Sequence, residues 1–201
     1  MDQFLRILVR VSSKRVKLFT ISGVPTFLSV WFFLGGFPLI FTGEYEFIPI
    51  LLICLFLSVL AHEFGHAVLA WRSGCQVQQI YISPIHGTCS YTYEAHITPP
   101  AIIAYGGVLA HFIILVAWVS LRGFLPQPSN EYIFGALLYF DLFVILINKY
   151  MLIFNLMPLP GLDGSVIWSD IASRFKRRRS NSHINRKDTK VIDIDERRKN
   201  I

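Results

Sequence analysis

Four stretches of this chain are apolar for longer than a soluble fold has use for. Leu18 to Thr42, Phe47 to Trp71, Ile97 to Leu121 and Tyr132 to Phe154 each reach the roughly 20 residues that cross a bilayer. The first and third carry no charged side chain, the second only Glu63, and the fourth only Asp141 and Lys149. Helices of a soluble bundle show a polar face repeating every 3.6 residues, and these runs do not. The expected fold is an all-α membrane protein with about four transmembrane helices.

Charge is pushed to the two ends. Met1 to Lys17 holds five basic residues against Asp2, and Arg174 to Ile201 holds eleven against four acids. The residues between have three basic side chains and eight acidic ones, so a net charge of +6 is the sum of +4, −5 and +7. Three units follow: a basic cytoplasmic segment 1–17, a membrane domain 18–173, and a basic, solvated cytoplasmic tail 174–201 that marks topology or meets the lipid surface. Basic ends around an apolar middle point to a bilayer, and no recognition module accompanies them, so nucleic acid is not an expected partner. Four spans put both termini in the cytoplasm. The first apolar run is too long for a secretory signal and lacks a small-residue cleavage site, which makes it a retained anchor. Pro25 places the start of the first span near itself, with Phe19 to Val24 approaching as a strand or interfacial segment.

His62-Glu63-Phe64-Gly65-His66 lies within the second run. Helical residues four apart share a face, so both imidazoles can point at one metal ion while Glu63 reaches the water such an ion activates. Ionisable groups at this depth, about 13 Å from the end of the span at 1.5 Å per residue, are costly unless they carry function. The bland alternative is a satisfied polar cluster packing the bundle.

A hydrolytic zinc site needs a third protein ligand and one open position. Asp163 is the strongest candidate. In Asn155-Leu-Met-Pro158-Leu-Pro160-Gly161-Leu-Asp163-Gly164 two prolines and two glycines interrupt the helix after the fourth run and can aim a carboxylate back. Asp163 can alternatively cap a helix over Ser165 to Phe175. Asn155 suits either a contact with substrate backbone or oxyanion, or the C-cap of the fourth helix.

With these two motifs in this order, the chain resembles the site-2 protease family of intramembrane zinc metalloproteases over most of Val24 to Ile171. The resemblance implies that His62, His66 and Asp163 bind one zinc ion per chain and that Glu63 is the catalytic base. It also implies a membrane-anchored protein substrate cut near the cytoplasmic side, in regulated intramembrane proteolysis, with a bacterial cytoplasmic membrane as the setting and a regulatory membrane protein as a possible partner. Zinc lowers the pKa of its water towards about 7 and polarises a carbonyl; Glu63 is then expected to move the water's proton to the leaving amine. Ile21-Ser-Gly-Val-Pro-Thr-Phe looks like the family's approach to its first core helix. The family's Gly-x-x-x-Asn/Ser/Gly pattern appears as Gly107-Val-Leu-Ala-His111, a departure that leaves His111 as a partner of a ligand or a packing residue, with an extra metal ligand the less favoured reading. Ser165 stands where the family often has a second glycine. The 201 residues leave no room for a PDZ-like sensor, so substrate selection is expected from the membrane domain, the tail or a partner.

Gln76 to Tyr93 is rich in β-forming residues around Ser83-Pro-Ile-His-Gly87 and reads as a hairpin or connector at the cytoplasmic mouth, whose edge can add a substrate as a further strand. His86 and His96 read as loop residues. The three cysteines match no zinc-finger or redox spacing and are expected to be free thiols. Asp141 and Lys149, too far apart for an i,i+4 pair, leave open a small metal-ion transporter, although many transporters are built on repeats and none is visible here. An inactive membrane scaffold is the third alternative, disfavoured because every implied ligand and the base are present.

Overall fold

The computed structural model describes residues 15–84, 86–92 and 100–177. Most of both basic ends, and His96, lie outside the described residues. The order is β1 (Arg15–Ile21), β2 (Val24–Ser29), a 3-10 helix (Val30–Gly36), α1 (Phe37–Thr42), a short 3-10 turn (Tyr45–Phe47), α2 (Ile48–Arg72), β3 (Gln76–Ile82), β4 (Gly87–Thr92), α3 (Pro100–Arg122) and α4 (Glu131–Leu156). A further helix, α5, runs over 163–177. Three helical segments are long and apolar enough to cross a membrane: Tyr45–Arg72, Ala101–Arg122 and Glu131–Leu156. They correspond to the second, third and fourth apolar runs.

The first run is not one continuous helix among the described residues: it opens as strand, which adds a small sheet to a mostly helical fold with three candidate spans. Ser22 and Gly23 have positive φ angles of 50° and 85° and form the two-residue turn that suits a hairpin's twist. Ile21 pairs with Val24 across it, and Thr20 with Pro25. The rest of the run, Val30–Thr42, is apolar helix but too short to cross alone. Gly43, with φ 79°, ends it in a left-handed cap. Hydropathy over a long window cannot tell a buried strand from a helix; the Ser-Gly turn decides between them.

The hairpin joins Gln76 to Thr92 in one sheet of order β1-β2-β3-β4. β2 runs parallel to β3 through Thr26↔Ile80, Phe27↔Tyr81 and Leu28↔Ile82, and β3 and β4 are antiparallel, with Ile80 opposite Cys89 and Ile82 opposite Gly87. The expected loop at the mouth is thus part of a four-stranded sheet. Six steps of strand from Gln76 to Ile82 rise about 20 Å, against about 14 Å for nine helical residues from Arg72 back to Glu63. The β3–β4 hairpin therefore climbs beside α2 as far as Glu63.

One face of α2 is buried at four-residue spacing: Cys54, Ser58, His62, His66 and Ala70, with Val59, Glu63 and Ala67 beside them. Val59 and Ala67 pack with Val24, Phe32, Ile80 and Ile82, which seats the sheet on the helix. α3 crosses the opposite side through two glycines. A Cβ on Gly106 would lie 2.6 Å from the carbonyl carbon of Gly65 and 2.9 Å from the amide nitrogen of His66. Small residues of this kind let spanning helices meet backbone to backbone.

Asp141 and Lys149 do not mark a path together. Asp141 accepts from Arg122 Nε at 2.7 Å and from Trp118 Nε1 at 3.2 Å, tying α4 to α3, while Lys149 is exposed.

Candidate metal centre

Two elements deliver three candidate ligand atoms. α2 presents His62 and His66 one turn apart, and the broken segment after α4 returns Asp163 to them. Gly161 takes φ 88°. Gly164 packs where a Cβ would be 2.6 Å from Leu156 O, so the returning chain presses against the end of α4. Trp168 Nε1 donates to the same carbonyl at 2.8 Å and locks α5 there. Asp163 is the first helical residue of α5, and its carboxylate turns to the two histidines.

His62 Nε2 and His66 Nε2 are 3.1 Å apart, and Asp163 Oδ2 is 3.3 Å from each. Ligands bonded to tetrahedral zinc at about 2.0–2.1 Å are themselves about 3.3 Å apart, so the triangle has the size of a zinc face. Its hydrogen bonding also suits a cation. His66 Nδ1 is 2.8 Å from Ile103 O; a carbonyl only accepts, so Nδ1 carries the proton and Nε2 turns a lone pair towards Asp163. Asp163 Oδ2 is buried with no hydrogen-bond donor. A proton on His62 Nε2 satisfies one of these contacts, whereas a metal ion satisfies all three. Among the described residues this is the group of His, Cys, Asp and Glu side chains that can hold a metal.

Glu63 is 3% exposed and faces the sheet. Its carboxylate accepts a hydrogen bond from the backbone N–H of Cys89. Gly87 lies against it so closely that a Cβ there would coincide with the carboxylate. Burial first, and the Glu63 carboxylate second, push the Cys89 thiol up to about 12. A cavity of about 870 Å³ opens over this group, lined by His62, Glu63, His66 and Asp163 on one side and by β4 and the chain after α4 on the other.

Asn155 and His86 line the same cavity. Asn155 Nδ2 donates back to Met151 O at 2.9 Å, one turn up its own helix. His86, read from the sequence as a loop residue, stands in the β3–β4 turn beside Ser83. His111 is fully buried, with its ring centroid 4.9 Å from that of His62. Residues to which the sequence assigned no role at the site matter as much. Gly107 lies where a Cβ would be 2.6 Å from both His62 Nδ1 and His66 Nε2; Ile103 supplies the carbonyl that orients His66, and Asn148 holds His111. Asn148 had a signal, an uncharged polar side chain inside an apolar span. Ile103 had none, since its backbone does the work.

The family model described as Peptidase M50B-like matches residues 39–170. A zinc metalloprotease of Methanocaldococcus jannaschii is 30% identical over 167 residues, covering 79% of this chain and 46% of that one. Stage IV sporulation protein FB of Bacillus subtilis is 28% identical over 118 residues, 56% of this chain and 37% of its own length. This chain thus spans less than half the length of these curated relatives. The solved site-2 protease from M. jannaschii superposes with a TM-score of 0.58 at 27% identity, covering 80% of this chain and 73% of that one.

Proposed function

The chain belongs to the Peptidase M50B-like family, and from that membership we propose that it is an intramembrane zinc metalloendopeptidase. His62, His66 and Asp163 hold one zinc ion, Glu63 is the base, and the substrate is a membrane-anchored protein cut near the cytoplasmic face. The observation that carries this reading is the triangle of His62 Nε2, His66 Nε2 and Asp163 Oδ2, at 3.1 to 3.3 Å, with a buried carboxylate on the next residue of the same helix. Bound there, zinc supplies a Lewis acid and an acidified water. Glu63 accepts the proton and returns it to the departing amine; the Cys89 N–H fixes the carboxylate for that transfer. Asn155, which lines the cavity and whose amide nitrogen is tied to Met151 O, is proposed to meet the substrate backbone through its amide oxygen.

Cleavage requires an extended peptide. β4 is the last strand of the sheet and its residues Gly87, Thr88, Cys89 and Tyr91 line the cavity. A substrate unwound from its helix can add to this edge and pass its carbonyls over Glu63, with backbone hydrogen bonds supplying affinity.

The cavity lies towards the end of α2 that carries Arg72, while Glu44 and Glu46 precede the other end of α2, Glu131 starts α4, and Arg122 at the far end of α3 is paired with Asp141. This asymmetry supports a cytoplasmic opening in a bacterial inner membrane. A regulatory membrane protein and the tail 174–201 are the further partners proposed.

Glu63→Gln tests the reading. The variant keeps one zinc per chain and loses roughly 10²–10⁴-fold in cleavage of a membrane-anchored substrate; cleavage at the native rate overturns it. Substrates co-purifying with this variant are then identified.

A further inference from the structure

Each zinc-binding imidazole leaves a second ring nitrogen, and in metal sites that nitrogen is normally tied to an outer acceptor that sets ring angle and tautomer. His66 has such an acceptor, Ile103 O, at 2.8 Å. His62 does not: its Nδ1 is buried with no hydrogen-bond partner. With Nε2 turned to the metal, this Nδ1 bears a proton and needs an acceptor.

His111 holds the complementary orphan. Asn148 Nδ2 donates to Val144 O at 2.8 Å and to Ser58 Oγ at 2.9 Å. The Val144 carbonyl accepts only, so the amide orientation is fixed. Asn148 Oδ1 therefore faces His111 Nδ1, 2.8 Å away, and that nitrogen must be the donor. The neutral His111 ring is left with a lone pair on Nε2, and Nε2 is also buried without a partner. His111 is 0% exposed, Asn148 1% and Ser58 3%, so this group sits away from the protein surface.

The two orphans belong to neighbouring rings and are not in hydrogen-bonding geometry with each other in this structure. A helical side chain leans back over the turn before it, which carries His111 towards Gly107, and Gly107 is the residue whose Cβ would be 2.6 Å from His62 Nδ1. The ring centroids are 4.9 Å apart with a tilt of 31°, near enough that the two nitrogens come within hydrogen-bond reach when the rings turn towards each other.

We propose that His111 is a positioning residue for the metal centre: when His62 binds zinc, His111 Nε2 accepts a hydrogen bond from Nδ1–H of His62, and Asn148, braced by Ser58, fixes the tautomer that makes it an acceptor. Ser58, Asn148 and His111 then form a relay across α2, α4 and α3 that sets the angle of one zinc ligand. The inference rests on the zinc reading of His62, His66 and Asp163, and goes beyond it by giving the residue in the family's Asn/Ser/Gly position a task in this chain.

The test measures zinc affinity of the full chain in detergent by competition with a chelator, with the cobalt(II)-substituted absorption spectrum as second readout. His111→Ala and Asn148→Leu each weaken zinc by about 10–100-fold. The double variant is no worse than His111→Ala, because both remove the same bond. His111→Gln, whose carbonyl oxygen can accept, recovers most of the affinity, and the cobalt spectrum stays tetrahedral throughout. Unchanged affinity in His111→Ala, or additive losses in the double variant, overturn the proposal. So does a cobalt spectrum that changes coordination in His111→Ala, which makes His111 a ligand. If His111→Ala does not fold, His111→Gln and Asn148→Leu decide: a loss in the second with retention in the first supports the relay, and equal affinities reject it. Failure of the wild type itself to bind zinc sinks the zinc reading, a result distinct from all of these.

Discussion

Gly107 faces His62 across the crossing of α2 and α3 so closely that a methyl group on it would sit 2.6 Å from His62 Nδ1. The same methyl would be 2.6 Å from His66 Nε2, a proposed ligand atom, so α3 bounds the room in which both imidazoles turn.

Gly107→Ala is expected to displace the histidines rather than unfold the chain, since the collision is with side chains and not with backbone. Zinc affinity falls about tenfold or more, in the range seen when a ligand's support is removed. Gly123→Ala is the control: its nearest neighbour would be 4.0 Å away, and it binds zinc as the wild type does. Equal zinc content in both variants contradicts the packing argument.

Gly87→Ala separates the base from the metal. Its Cβ would fall on the Glu63 carboxylate, so β4 must lift or Glu63 must turn away from the Cys89 N–H. Turnover is expected to fall roughly 10²-fold or more, as for a misplaced general base, with zinc stoichiometry intact. Loss of zinc together with activity would show that the strand supports the ligands too.

Gly65→Ala attacks the crossing itself. The added methyl would meet Ala110 Cβ at 3.2 Å and, still closer, the backbone of Gly106; backbone cannot step aside as a side-chain tip can. Overpacking of this kind costs typically about 1–3 kcal/mol, read as a lower unfolding midpoint in detergent. An unchanged midpoint would mean that the two helices part freely.

What could be read from the sequence divides along physical lines. His62, Glu63 and His66 are legible because helix geometry converts spacing of four into a shared face, and Asp163 because two prolines and two glycines must break the chain beside it. The three long helices follow from uninterrupted apolar length. The sheet was harder, since Leu18 to Thr42 is as apolar as a span and only Ser22-Gly23 betrays the hairpin. The contacts of Gly106, Gly107 and Gly87 depend on which helix crosses which and at what height, information that exists only after α2, α3 and the sheet have packed. The His111 to Asn148 bond joins residues 37 apart and is likewise a product of tertiary structure, although both polar residues stand out in apolar surroundings.

Cys89 reports on the electrostatics of the cavity without touching a ligand. The thiolate, not the thiol, reacts with alkylating reagents. Burial and then the neighbouring Glu63 carboxylate raise the thiol to about 12, because both disfavour a second negative charge at that spot. The native protein is therefore protonated at Cys89 throughout the neutral range, and its alkylation rate should climb about tenfold per pH unit from pH 7 to pH 10 with no plateau. In denaturant the same residue levels off near its ordinary value, roughly 8.5. Glu63→Gln removes the charge and leaves the burial, so at a fixed pH below 10 its Cys89 reacts faster than the wild type but slower than the unfolded chain. Rates are followed by mass spectrometry of the peptide containing Cys89, which separates it from the buried Cys54 and Cys75. A native plateau near pH 9, or identical rates with and without the Glu63 charge, would mean that β4 does not hold Cys89 against the base.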